Sequence, residues 1–107
     1  MTSAEYLAAE RAAEVRHEFF DGAVFAMAGA SKKHNQISAN LMRLIGNQLV
    51  EKPCSVYSSD MRVKSAGANK YSYPDVVATC QDEDFEDQEE DTLLNPLLII
   101  ICILCNQ

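Results

Sequence analysis

A chain of 107 residues, 48% of them apolar, has the material for one domain-sized core and argues against global disorder. The formal net charge is −7, from 16 acidic and 9 basic residues, a poor balance for gripping a polyanion unaided. The excess is local, because eight acids fall in residues 81–91 and leave eight against nine bases elsewhere. The start, Met1-Thr2-Ser3-Ala4-Glu5, has no apolar leader. The longest apolar run, residues 97–105, has nine residues, about half of a bilayer span. No membrane association is expected. A cytoplasmic location is, with Cys54, Cys80, Cys102 and Cys105 as free thiols.

Thr2 or Ser3 can cap a first helix that runs to about residue 15. Glu5 follows Thr2 at the spacing of a capping box, and Tyr6, Leu7 and Ala13 give the helix a thin apolar face. His17 to Phe20 and residues 23–27 read as two strands. Asp21-Gly22 joins them, since glycine accepts the positive φ of a type I′ turn. Ser31 is a good N-cap for a second helix over about residues 32–51. Ile37, Leu41, Leu44, Ile45 and Leu49 recur there at helical spacing, and Lys52-Pro53 closes it. Residues 54–64 read as a strand, 65–69 as a turn and 71–80 as its hairpin partner. Residues 81–91 read as a solvated acidic loop. After Asn95-Pro96, residues 97–104 read as a last apolar strand. This order has no repeat and no second domain. It predicts one layered α/β (α+β) domain over residues 1–107, a mixed sheet flanked by helices.

Asp60 and Asp75 fall on the two arms of the second hairpin at near-matching depths. Carboxylates projecting from adjacent strands make a hard oxygen site of the kind that holds Mg²⁺ or Mn²⁺ in phosphodiester cleavage. The pair is therefore expected to share a weakly bound metal ion. The plainer readings are an edge-strand aspartate after Pro74 for Asp75 and a hairpin hydrogen bond for Asp60. Glu18, on the first hairpin, is an additional candidate acid or a solvated strand carboxylate. His34 precedes Ile37 by three residues and so faces the core stripe. It could bind phosphate or shuttle a proton, or be a partly buried structural histidine. Lys32, Lys33, Arg43, Arg62, Lys64 and Lys70 are scattered, as phosphate contacts or solvated surface. Cys102-Ile103-Leu104-Cys105 has C-x-x-C spacing, but residues three apart on a strand face opposite ways. With no second pair or histidine cluster, these read as two apolar-strand cysteines rather than a zinc or redox site.

Six segments, in order, resemble one family: Glu5-Tyr6-Leu7, Glu18-x-x-Asp21-Gly22, Met27-Ala28-Gly29-Ala30-Ser31-x-x-His34, Ser59-Asp60-Met61-Arg62-Val63, Tyr73-Pro74-Asp75-Val76-Val77 and Asp91-Thr92-Leu93-x-Asn95-Pro96. The chain is similar in these to the Uma-two family, a bacterial, restriction-endonuclease-like branch of the PD-(D/E)xK nuclease superfamily. The resemblance runs to about residue 100. It implies a restriction-endonuclease-like core, DNA as partner, and Mg²⁺ or Mn²⁺ held by carboxylates. Such an ion polarises the scissile phosphate and activates water, while a lysine stabilises developing charge. It makes Asp75 the PD aspartate and a metal ligand. Asp60 becomes a second ligand or an orienting residue, and Glu18 an additional acid.

The family's continuation after Asn-Pro is a strand ending in Glu-Val-Leu-Ser-Pro-Ser-Thr, then a helix with a lysine. Here Ile101 falls where the catalytic glutamate is expected, and no lysine follows. The resemblance therefore predicts a truncated or frameshifted endonuclease core, with weak or absent metal binding and no nuclease activity. The competing class is a non-catalytic interaction protein, a homo-oligomer built on residues 97–104 as an edge strand.

Overall fold

The computed structural model describes residues 1–65, 67–80 and 82–101. Helix α1 spans Ser3–Ala12, and its capping box forms as expected. Glu5 N–H donates to Thr2 Oγ1 at 3.1 Å, and Thr2 N–H donates to Glu5 Oε1 at 2.9 Å. The helix stops short of residue 15 because Ala13 takes extended backbone. That turn brings His17 back onto Glu10, whose carboxylate accepts the His17 N–H at 2.7 Å.

Strands β1 (His17–Phe20) and β2 (Ala23–Ala26) pair antiparallel, with Phe20 opposite Ala23. Asp21 at φ 46° and Gly22 at φ 94° supply the two left-handed positions that a type I′ turn requires. Helix α2 spans Lys32–Leu49 and packs on strands β3 (Cys54–Ser58) and β6 (Val76–Cys80). Its predicted stripe is only half-covered among the described residues: Leu44 is exposed, and His34 is the helix's buried residue.

The second hairpin forms, but not as one ribbon. Its outer half pairs Cys54 with Cys80 through Ser58 with Val76. Its inner half, strands β4 (Arg62–Lys64) and β5 (Lys70–Ser72), pairs Val63 with Ser72. From Ser58 to Val63 is five steps, whereas from Val76 to Ser72 is four. One arm therefore carries an extra residue, and Pro74 on the other has no N–H to donate. The ladder breaks at residues 59–61 and 73–75, and the halves enter different sheets. Strand β7 (Thr92–Leu93), unforeseen because it has two residues, pairs parallel with β4, so the predicted mixed sheet is present. The five-stranded sheet has the order β2-β1-β5-β4-β7. Strand β8 (Leu98–Ile100) pairs antiparallel with β6 and completes a three-stranded sheet, β3-β6-β8.

Tyr6 and Leu7 pack on Phe19 and Tyr71 in one core cluster. The Tyr6 ring lies 5.0 Å from that of Phe19 and 5.2 Å from that of Tyr71. Val63, Val77 and Leu93 form a second cluster. Two expectations need correction. The acidic segment is not simply solvated, because Asp87 and Asp91 pair with Arg11, Glu86 accepts from Tyr71, and Glu83 accepts from Tyr57. Cys54 and Cys80 are not free thiols, since the β3–β6 register sets them opposite and they are disulfide-bonded. Cys102, Cys105 and the end of the predicted last strand lie outside the described residues. No described helix is long and apolar enough to cross a membrane.

Candidate functional site

The break in the second hairpin opens a cavity of about 660 Å³ against the start of α2 and residues 26–31. Asp75 sits in the break, behind a fully buried Pro74. Ser31 caps α2 by accepting the His34 N–H at 3.1 Å, and this fixes His34 in the first turn. His34 Nε2 then lies 2.6 Å from Asp75 Oδ1. An ionised carboxylate can only accept, so Nε2 carries the proton of this contact. Glu18, on β1, lines the same cavity and is half-buried.

Three of the four predicted site residues, Glu18, His34 and Asp75, are thus brought to one cavity, and Asp60 is not. It sits in the turn after β3, with its side chain 89% exposed, and accepts from Arg16 Nη1 at 3.0 Å. Asp75, at 14% exposure, has the opposite environment. Arg62 is buried, which removes it from the candidate phosphate contacts, and Lys64 is held by Glu86 at 3.6 Å. Ile101 also lines the cavity. Continuing the β6–β8 register, in which Val76 faces Ile100, sets Ile101 across from Asp75.

Two wall residues were missed from sequence. Arg16 reaches across to the Ser59 carbonyl at 2.6 Å and lies over the Tyr73 ring, 5.6 Å from its centroid. Tyr73 leads a buried polar relay. Its hydroxyl donates to Glu10 Oε2 at 2.6 Å and accepts from Arg62 Nη1 at 3.0 Å. Arg62 also donates to Thr92 Oγ1 at 2.8 Å and meets Asp91 at 2.9 Å, which in turn meets Arg11 at 2.8 Å. Burial pushes the Glu10 carboxyl up, but hydrogen bonds from the His17 N–H, the Tyr73 hydroxyl and the His17 ring hold it below its ordinary value. Hydrogen bonds from Arg11, with the Arg62 charge, hold Asp91 at about 2. Burial, with the Glu10 hydrogen bond, pushes the Tyr73 hydroxyl up. The one sequence signal for Glu10 is its place four residues after Tyr6, on the apolar face of α1.

Among the described residues, the donors gathered at Asp75 are too few for a complete hard-cation site. Among the described residues, no three His, Cys, Asp or Glu side chains gather closely enough to hold a metal ion. Asp75 meets a histidine and faces an isoleucine, whereas Mg²⁺ demands several oxygens in near-octahedral array. The residues present therefore do not fit a complete Mg²⁺ centre.

Residues 3–101 match the model of the Uma2 family, described as "Putative restriction endonuclease". The chain is 36% identical over 99 residues to the uncharacterized protein sll1609 of Synechocystis sp., covering 92% of this chain and 56% of that protein. It is 39% identical over 80 residues to the uncharacterized protein slr1290 of the same organism, covering 75% of this chain and 42% of that one. The chain thus spans about half the length of the curated relatives it matches. The crystal structure of a "putative nuclease belonging to DUF820" from Anabaena variabilis superposes with a TM-score of 0.66 at 17% identity, over 96% of this chain and 53% of that one. This last match is a likeness of fold.

Proposed function

The chain belongs to the Uma2 family, and on that premise we propose that it is part of a divalent-metal DNA endonuclease whose acidic cluster is incomplete. The observation that supports this reading is that Asp75, Glu18, His34 and Ile101 line one cavity, with Ile101 opposite Asp75 when the β6–β8 register is extended one residue past Val76 and Ile100. Asp75 is the carboxylate placed to face an ion, Glu18 is an accessory acid, and Ile101 occupies the place of a further ligand. Asp60 acts from outside the cavity, orienting Arg16. DNA is the substrate class. The chain by itself binds metal weakly and does not hydrolyse phosphodiesters.

Incubation of the purified chain with plasmid and Mg²⁺ or Mn²⁺ tests this. No nicking is expected. Nicking by the wild type that disappears in Asp75→Ala would overturn the inactive reading. Ile101→Glu should bring Mn²⁺ binding that Asp75→Ala abolishes, because a second carboxylate then faces the first.

A second reading, homo-oligomerisation through β8, is favoured by the exposure of Leu97 (72%), Leu98 (43%) and Ile99 (41%) beside the edge of the three-stranded sheet. Leu97 and Ile99 share a face, so replacing both with lysine should abolish self-association in sedimentation. A wild-type monomer would dismiss this reading.

A further inference from the structure

We propose that His34 holds Asp75 in the place of a cation, so that a hydrogen bond from a buried histidine to the half-buried carboxylate closes it to divalent metal. The inference rests on the reading of Asp75 as the ion-facing aspartate. The Asp75 side chain is 14% exposed and that of His34 is 9% exposed. A carboxylate so far out of water needs a compensating partner. A cation would serve, and so does a ring N–H at 2.6 Å, a charge-assisted bond of the short, strong kind.

The donor is held from behind. The His34 N–H is anchored on Ser31 Oγ, and α2 packs against β6, whose N-terminus follows Asp75. One residue past the β6–β8 ladder, Ile101 lines the cavity and offers hydrocarbon where an ion would need oxygen. Mg²⁺ gives up its water reluctantly and needs more than one carboxylate to repay the loss. With one carboxylate, already engaged by a buried donor, the hydrogen bond wins over the ion.

Mn²⁺ titration at one fixed pH, read by the EPR signal of the free ion and by paramagnetic broadening of amide resonances, tests this. Removing the donor with His34→Ala should tighten Mn²⁺ binding by about 10- to 100-fold, the equivalent of one hydrogen bond to a charged group. The gain should vanish in His34→Ala/Asp75→Ala. His34→Gln, whose amide N–H can donate in place of Nε2, should keep the wild-type affinity. If circular dichroism shows that the alanine variant does not fold, His34→Leu keeps the bulk and lacks the donor. Unchanged or weaker binding on loss of the donor would overturn the proposal, because the histidine would then orient the carboxylate for an ion rather than close it.

The same variants in an Ile101→Glu background separate the two levels of the argument. Asp75-dependent binding there that is not tightened by His34→Ala or His34→Leu refutes the inference alone. No Asp75-dependent binding refutes the reading of Asp75 and the inference with it.

Discussion

Glu10→Ala should be among the most damaging single substitutions in the molecule. Glu10 lies on the inner face of α1 with a side chain 3% exposed, where it accepts from the His17 N–H at 2.7 Å and the Tyr73 hydroxyl at 2.6 Å. Its other oxygen meets His17 Nδ1 at 3.0 Å. Alanine removes the acceptor and leaves these donors behind. Each buried donor left unsatisfied costs ~1–3 kcal/mol, so the loss should be about 3–5 kcal/mol. The Tyr73 hydroxyl would still accept from Arg62 but have nothing to donate to. Urea denaturation followed by circular dichroism measures the loss. With a slope of roughly 1–2 kcal/mol per M for a small domain, the midpoint should fall by about 2 M or more. Glu14→Ala, at an exposed position, should move it little. The folded-state carboxyl of Glu10 lies below its ordinary value of 4.5, so its contribution is present above that pH and is lost as pH falls through the folded value. The gap between wild type and Glu10→Ala should therefore narrow in acid. A midpoint shift for Glu10→Ala no larger than for Glu14→Ala would refute the relay as a source of stability.

Asp91, held at about 2 against an ordinary 3.8, should stabilise the fold above pH 3.8 and lose that contribution as pH falls towards 2. Its side chain is 37% exposed, so solvent screening reduces the effect of Asp91→Asn to about 1 kcal/mol near neutrality, read as a shift in thermal midpoint that disappears in acid. The Cys54–Cys80 bond spans 26 positions, and loop-closure entropy puts its contribution at about 3–4 kcal/mol. Reductant should lower the melting temperature of the wild type to that of Cys80→Ser and leave the variant unmoved. An unchanged wild-type melt in reductant would contradict this.

Local structure that depends on near neighbours was legible in the residues alone. The Thr2–Glu5 box, the Asp21-Gly22 turn and the Ser31 cap each follow from side chains a few positions apart, and the pairing of residues 54–64 with 71–80 follows from two apolar runs around a short turn. The inward aim of His34 was legible from its distance to Ile37. The different fates of Asp60 and Asp75 were not. Both read as strand aspartates at matching depth, and only the bend of the hairpin turns one to solvent and Arg16 and the other onto His34. The bend needs an extra residue on one arm and a proline on the other, and each alone is compatible with a straight strand. Glu10 and the acidic segment were hidden for a related reason. A glutamate on a helix or an aspartate in a charge-rich run reads as solvated, and only the tertiary fold brings Tyr73 to Glu10 and Arg62 and Arg11 to Asp91, which compensates the charge each withdraws from water. Strand β7 carries no pattern in its two residues and exists because β4 offers it an edge.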